Sequence, residues 1–237
     1  MDAVEKVPRH IAIIMDGNRR FAKKLMLKPW MGHEWGEKKV EQVLDWCHEL
    51  GVHELTLYAL SLQNMGRPKE ELDYLMNVFR KAFDRLMNER KTDIMSQGIR
   101  FLFIGRLHLL PADVQEKAAQ LMELTKSNTQ HIVNLAMAYG GREEVVDAAR
   151  KIADQVKNGQ LNLDEITEEI FNKNVYLQST PDLILRTGGD QRTSNFLNWQ
   201  SSYSELIFIE KTWPEMEKED FVTAIQDFKS RERRVGK

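Results

Sequence analysis

Six short, mostly unbroken apolar runs divide this 237-residue chain. The first ends at Ile13-Ile14-Met15. The others span Leu55 to Leu60, Ile99 to Ile104, His131 to Ala136, Leu183 to Leu185 and Leu206 to Ile209. Runs of this kind suit strands buried on both faces, as in a parallel sheet. Helical patterns lie between them. Glu37 to Leu50 sets Val40, Val43, Leu44 and Cys47 on one face. Pro68 opens a long helix with the stripe Leu72, Leu75, Met76, Phe79, Phe83 and Leu86. Pro111 to Leu124, Glu143 to Val156, Leu163 to Phe171 and Glu219 to Arg231 follow. Such alternation implies right-handed crossovers and a sheet covered on both faces. The expectation is an α/β fold with a central six-stranded, mostly parallel sheet flanked by helices. No internal repeat or convincing linker divides residues 1–237, so a single domain is expected.

Loops after parallel strands share the sheet's carboxyl edge, where ligands usually bind. Asp16-Gly17-Asn18-Arg19-Arg20 follows the first run. Gly17 would remove a side chain where an anion approaches, and the arginines offer forked donors. Asp16 would repel a bare diphosphate, so its natural use is to hold a divalent cation against it. Ser61, Asn64 and Arg67 follow the second run, Tyr139-Gly140-Gly141-Arg142 the fourth, and Arg186 to Ser194 the fifth. Two arginine clusters suggest two phosphorylated groups. The plainer readings are an Asx or glycine turn at Asp16-Gly17-Asn18 and solvated arginines elsewhere.

A net charge of -2 gives no sign of a nucleic-acid partner. No run is long enough to span a membrane, and the opening Met-Asp-Ala-Val-Glu-Lys has no apolar signal core. A cytoplasmic chain is expected. Cys47, the only cysteine, reads as a small buried hydrophobe. A phosphate-binding G-x-x-x-x-G-K-[ST] loop, a well-placed G-x-G-x-x-G and a nucleophile triad are all missing. What remains is metal-assisted diphosphate chemistry on an apolar substrate. The Leu, Met and Phe stripe after Pro68 would serve that substrate, or simply pack the core.

The motifs Met15-Asp-Gly-Asn-Arg-Arg-Phe-Ala22, Gly32-His33, Arg67-Pro68, Tyr139-Gly-Gly-Arg142, Arg186-Thr-Gly-Gly189, Arg192, Ser194-Asn-Phe-Leu197, Tyr203-Ser-Glu205 and Trp213-Pro214 are ordered along nearly the whole chain. Together they resemble the cis-prenyltransferases, the undecaprenyl or cis-polyprenyl diphosphate synthases. Arg19 and Phe21 look closer to the archaeal and eukaryotic branch. The resemblance implies the cis-prenyltransferase fold, with an elongated apolar tunnel, and a reaction that condenses an allylic prenyl diphosphate with isopentenyl diphosphate. By the same resemblance, Asp16 and Glu205 hold Mg²⁺. Gly17, Asn18, Arg19, Arg20 and His33 serve the allylic diphosphate, with Arg67 counted among the substrate-binding residues. Arg186, Arg192 and Ser194 bind the acceptor diphosphate, while Asn64 and Ser61 lie near the reacting carbon. The tunnel candidates are Leu72, Leu75, Met76, Phe79 and Phe83, with Phe101, Phe103 and Leu135 at the distal end. A homodimer is implied, with peripheral membrane contact for the long product. Arg234-Val235-Gly236 resembles a terminal motif linked to the acceptor site across the dimer, or is a solvated charge run.

Four departures fall near the chemistry. Gln63 stands where the family usually has a carboxylate, and Met65 where it has an aromatic. Pro29 replaces an arginine, so a forked donor is lost, although Lys28 could reach the same phosphate. Ala138 replaces a polar residue. These changes keep open an unusual acceptor, such as a second allylic diphosphate or a hydroxyl compound, or irregular coupling. A non-catalytic subunit and a nucleotide-binding α/β protein are further alternatives.

Overall fold

The computed structural model describes residues 7–231. Its elements alternate as the apolar runs require. The chain runs β1 (His10–Ile14), α1 (Asn18–Lys24), α2 (Gly32–Leu50), β2 (Glu54–Tyr58), α3 (Lys69–Asn88), α4 (Lys91–Ser96) and β3 (Ile99–Ile104). It continues through α5 (Ala112–Thr125), β4 (His131–Ala136), α6 (Gly141–Lys157), α7 (Glu168–Asn174), β5 (Leu183–Thr187), β6 (Glu205–Ile209) and α8 (Lys218–Ser230). The six strands form one sheet in the order β3-β4-β2-β1-β5-β6, and every pairing is parallel.

Strand alternation sends successive β1 residues to opposite faces. Ile11 and Ile13 join a core with Leu55, Leu57, Phe83 and Phe221. Ala12 and Ile14 face Tyr139, Ile184, Phe196 and Leu197. Cys47 is buried in the first of these cores, as its apolar surroundings suggested. Among the described residues, no helix is long and apolar enough to cross a membrane.

Several boundaries move for identifiable reasons. The run to Leu60 stops being a strand at Tyr58, because the Ala59 and Leu60 N–H groups both donate to the Ala136 carbonyl, each at 3.0 Å. The ladder has ended, and a 3₁₀ turn follows over Leu62–Gly66. The fifth strand gains Arg186 and Thr187, which pair with Phe208 and Ile209. Polar residues at the end of a buried strand hid its length. The helix expected over Leu163 to Phe171 is two pieces, a 3₁₀ turn at Leu163–Glu165 and α7. The Thr167 hydroxyl accepts from the Ile170 N–H at 3.3 Å and restarts the helix as its N-cap. The seven-residue α1 and six-residue α4 are too short to show a period in the sequence.

β1 leads toward β2 on one side, and β5 leads toward β6 on the other. The carboxyl ends of β1 and β5 are therefore the topological switch point, where open α/β sheets bind ligands.

Candidate active site

Asp16 and Arg186 meet at that switch point. Arg186 Nη2 donates to Asp16 Oδ2 at 2.7 Å. The other guanidinium nitrogen, Nη1, donates to the Arg192 carbonyl at 2.5 Å and to Ser194 Oγ at 2.7 Å. Arg186 is 3% exposed, so this fork ties the first strand exit to the 190–194 loop from inside the protein. Arg20 reaches in from α1, with Nη2 3.3 Å from Asp16 and Nη1 donating to the Gly188 carbonyl at 2.5 Å. Burial alone would raise the Asp16 carboxyl. The hydrogen bond and charge of Arg186, with Arg20 and the Gly17 N–H, hold it below its ordinary value.

Asp190 is the member that sequence reasoning missed. Its carboxylate lies 3.6 Å from both Arg20 and Arg186 and pairs with Arg192 at 2.9 Å. Three arginines thus share two carboxylates. The signal was present, because Asp190 sits between Arg186 and Arg192 on one loop.

Gly17 is required for a reason other than anion approach. Its φ is +105°, and a Cβ there would lie 2.5 Å from the Thr212 Cβ. Asn18 donates to the Met15 carbonyl at 3.1 Å and packs against Gly36, where a Cβ would come within 2.2 Å of Asn18 Oδ1. Its amide fixes the turn and lets α2 pack close. Trp213 completes this joint. Its backbone N–H donates to the Asp16 carbonyl at 2.8 Å, and its indole N–H to the Gly36 carbonyl at 2.7 Å.

A second cationic group gathers around Glu71 on α3, which is 1% exposed. Arg67 approaches it at 3.0 Å and Arg19 at 3.7 Å. Arg67 Nη1 also lies 3.4 Å from His33 Nε2. Burial, with the nearby Arg67 and Arg19 charges, lowers the His33 pKa to about 4. Its imidazole is therefore neutral near pH 7, and its Nε2 accepts from Arg67. In the ligand-free chain His33 orients an arginine.

Ser61 and Asn64 cap each other across the 3₁₀ turn after β2. The Asn64 N–H donates to Ser61 Oγ at 3.1 Å, and the Ser61 N–H to Asn64 Oδ1 at 3.4 Å. The opposing wall is a strained loop, in which Ser194, Asn195 and Leu197 have φ of 51°, 64° and 49°. Asn195 anchors it by accepting from the Arg142 N–H at 2.9 Å and donating to Glu143 at 2.9 Å. Phe196 stacks on Tyr58 at 4.4 Å.

Most of these groups open onto one cavity of about 1040 Å³, although Glu71, Arg142, Glu143, Phe196 and Leu197 are not in its lining. Asp16, Gly17, Asn18, Arg19, Arg20, His33, Ser61, Asn64, Arg67, Arg186, Arg192 and Ser194 line its mouth. Leu75, Phe79, Phe83, Phe101 and Leu135 line its apolar interior, together with Val40, Val78, Ala82, Leu86 and Met137.

Some expectations need correction. Leu72, Met76 and Phe103 are not in the lining. Met76 points into the core, and Phe103 stands behind Phe83, edge to face at 5.1 Å. Glu205 does not reach Asp16 within this chain. It begins β6, level with Leu183 at the sheet's amino edge, and binds Arg231 at 2.9 Å. Of the four departures, only Gln63 lines the cavity. Met65 packs on the core, and Ala138 is fully buried at φ 46°. Pro29 starts a 3₁₀ turn. Lys28 does not stand in for the lost arginine here, since it pairs with Glu70 at 3.0 Å. Arg234-Val235-Gly236 lies outside the described residues.

Among the described residues, no three His, Cys, Asp or Glu side chains converge as a metal cluster. Mg²⁺ does not require one, because it binds through one or two carboxylates with substrate phosphates and water. Asp16, with Asp190 nearby, fits that donor set.

Comparison with known proteins agrees with this geometry. Residues 14–236 match the family model described as "Putative undecaprenyl diphosphate synthase". The chain belongs to the cis-prenyltransferase family. It is 48% identical to tritrans,polycis-undecaprenyl-diphosphate synthase (geranylgeranyl-diphosphate specific) of Methanopyrus kandleri, over 98% of this chain and 86% of that one. Identity to the Pyrococcus furiosus protein of the same name is 46%, over 98% and 88%. The crystal structure of lavandulyl diphosphate synthase from Lavandula x intermedia, in complex with dimethylallyl diphosphate, superposes with a TM-score of 0.92 at 36% identity, covering 98% of this chain and 99% of that one. The archaeal relatives agree with the branch suggested by Arg19 and Phe21.

Proposed function

We propose that this cis-prenyltransferase condenses an allylic prenyl diphosphate with isopentenyl diphosphate, repeatedly, to give a cis-polyprenyl diphosphate. The observation that carries the reading is the juxtaposition of two arginine clusters and Asp16 at the mouth of one apolar cavity. The names of the archaeal relatives favour geranylgeranyl diphosphate as donor.

In this reading Gly17, Asn18, Arg19 and Arg20 cradle the donor diphosphate, and Arg67, oriented by His33 and Glu71, adds a further donor. Arg186, Arg192 and Ser194 take the acceptor diphosphate. Asp16, with Asp190 beside it, would hold Mg²⁺, which would supply electrostatic stabilisation of the leaving diphosphate. The allylic C–O bond breaks and its electron pair leaves with the diphosphate. The acceptor double bond attacks the allylic carbon, and a proton departs from the adjacent acceptor carbon. Ser61 and Asn64 flank the reacting carbon. The arginines stabilise the departing charge in a site walled from water by the apolar lining. Growing product passes between α2 and α3 toward Phe83 and Phe101. The enzyme works as a homodimer in the cytoplasm and meets the membrane peripherally when it delivers its lipid.

Gln63 supports a second reading. It lines the cavity where a carboxylate is usual, and the lavandulyl diphosphate synthase structure covers nearly the whole chain. Irregular coupling to another allylic diphosphate is that alternative. The test is incubation with Mg²⁺, geranylgeranyl diphosphate and isopentenyl diphosphate, with dimethylallyl diphosphate as competitor, followed by mass analysis. A ladder of products separated by five carbons is expected. Coupled allylic products in the presence of isopentenyl diphosphate would overturn regular elongation.

A further inference from the structure

Glu37, Glu41 and Asp45 recur at four-residue spacing, which puts them on one face of α2. Arg85 near the end of α3 and Arg90 at the N-cap of α4 insert between them. Arg85 Nη2 lies 3.0 Å from Glu37, and its Nη1 lies 3.1 Å from Glu41. Arg90 lies 3.4 Å from Glu41 and 2.8 Å from Asp45. The result is an alternating ladder of acids and bases along the α2–α3 seam.

This ladder is not an ordinary solvated face. The Glu37 and Glu41 side chains are 14% and 20% exposed, and both residues line the cavity beside Val40, Ala82 and Leu86. Burial pushes the Glu37 carboxyl above its ordinary value, against the pull of Arg85. Hydrocarbon gains nothing beside such charges, because burying them further is costly. Arg85 leaves α3 between Phe83 and Leu86, the last α3 residues in the lining. Leu86 is about 25 Å along the helix from its start at 1.5 Å per residue. The ladder therefore ties the two walls of the tunnel together at its deep end.

We propose that Arg85, by clasping Glu37 and Glu41, holds α2 against α3 at the deep end of the tunnel and so sets the length at which the growing chain stops. The inference rests on the elongation reading above. A growing chain that meets a sealed polar seam has to stop or turn. One that meets an open apolar gap continues.

The test compares product lengths made by the full-length protein from geranylgeranyl and isopentenyl diphosphates at one enzyme-to-substrate ratio. Arg85→Met keeps the apolar stem and removes the charge. Its products are expected to lengthen by whole five-carbon steps. Arg85→Lys keeps a cation and should restore most of the native profile. The Glu37→Gln, Glu41→Gln double variant removes the partners while keeping their shape, and should lengthen products as Arg85→Met does. If Arg85→Met fails to fold, the double variant decides. Melting temperatures are recorded alongside. A lowered melting temperature with an unchanged product profile reduces the ladder to a stabilising pair and overturns the proposal. A native protein that forms no elongated product removes the elongation reading and the clasp together. A native protein that elongates, with variants that keep its profile, removes the clasp alone.

Discussion

The mouth and the deep tunnel are held together in opposite ways. At the mouth, Arg20, Arg186 and Arg192 share Asp16 and Asp190, while Arg19 and Arg67 share Glu71. Five arginines face three carboxylates there before any ligand binds, so the mouth keeps a positive excess for a diphosphate, which still competes with those carboxylates or brings a cation to neutralise them. In the depths, aromatic rings pack the wall behind the Arg85 ladder that closes the α2–α3 seam. Phe79 stacks on Phe83 at 6.1 Å, and Phe83 meets Phe103 edge to face. The mouth is a set of exchangeable ion pairs and the tunnel a packed wall. Reaction chemistry should respond to single charges at the mouth, and product length to volumes in the tunnel wall and to the Arg85 clasp that closes its seam.

The largest test of that division is Asp16→Ala. Losing the carboxylate that faces both Arg186 and Arg20 should lower kcat by at least about a hundredfold. Strand β1 and its core contacts stay intact, so circular dichroism should be unchanged. Near-native turnover at saturating Mg²⁺ would break the assignment.

The acceptor cluster sharpens the comparison at smaller cost. The Arg192 side chain is 61% exposed and binds Asp190, so Arg192→Ala should spare stability. It should raise the KM for isopentenyl diphosphate about tenfold, the scale of one charged hydrogen bond. Arg186→Ala should cost kcat as well as KM, because it strips Asp16, Ser194 and the Arg192 carbonyl of a shared buried donor. Equal acceptor affinity for Arg192→Ala and native protein, measured by calorimetry, would remove Arg192 from the site.

In the tunnel, Phe83→Ala and Phe79→Ala should both lengthen the product. Phe83 is 2% exposed, and its truncation should also destabilise the fold by about 3–5 kcal/mol. Phe79 is only partly buried, so Phe79→Ala should cost less stability. If denaturation shows the expected losses while mass analysis shows the native products, both rings serve packing alone.

The same division decides what could be read from sequence. The six strands were legible because buried parallel strands are continuous apolar runs, and the residues at the mouth follow those runs directly. Arg186 was legible as a residue of the mouth but not as a strand residue, since its charge closed the apolar run at Leu185. The tunnel was only half legible. A stripe from Leu72 to Leu86 fixes one helix face, but not which of its residues meet the cavity and which meet the sheet. Leu75, Phe79 and Phe83 meet the cavity, while Met76 turns inward and Leu72 falls outside. Glu205 illustrates the converse case. A match in sequence to a metal ligand carries no information about which sheet edge the residue occupies, and Glu205 starts its strand where the ligands of Asp16 would end one. Glu71 was hidden because a buried carboxylate in an ion pair has no period and no motif of its own, whereas Asp190 stood in view between Arg186 and Arg192.

The smallest expected effect concerns His33, and it tests whether the mouth is poised by geometry or by titration. The folded pKa of about 4 lies below the ordinary 6.5, so the unfolded chain takes up a proton first as pH falls. Stability from the neutral ring is fully present above about pH 6.5 and is lost as the pH drops through that window toward 4. The loss from this group is at most about 3 kcal/mol, from 1.36 kcal/mol per pKa unit. His33→Asn should flatten the pH dependence of the melting temperature between 6.5 and 4, while leaving it unchanged above 7. An NMR titration of the His33 ring gives the direct reading, with no protonation expected above about pH 5. Bound diphosphate should raise the midpoint, because its charge favours imidazolium. A midpoint near 6.5 in the free protein would mean that Arg67 and Arg19 do not crowd the ring. His33 would then face the donor phosphate as a cation, and the mouth would be pH-switched rather than pre-set.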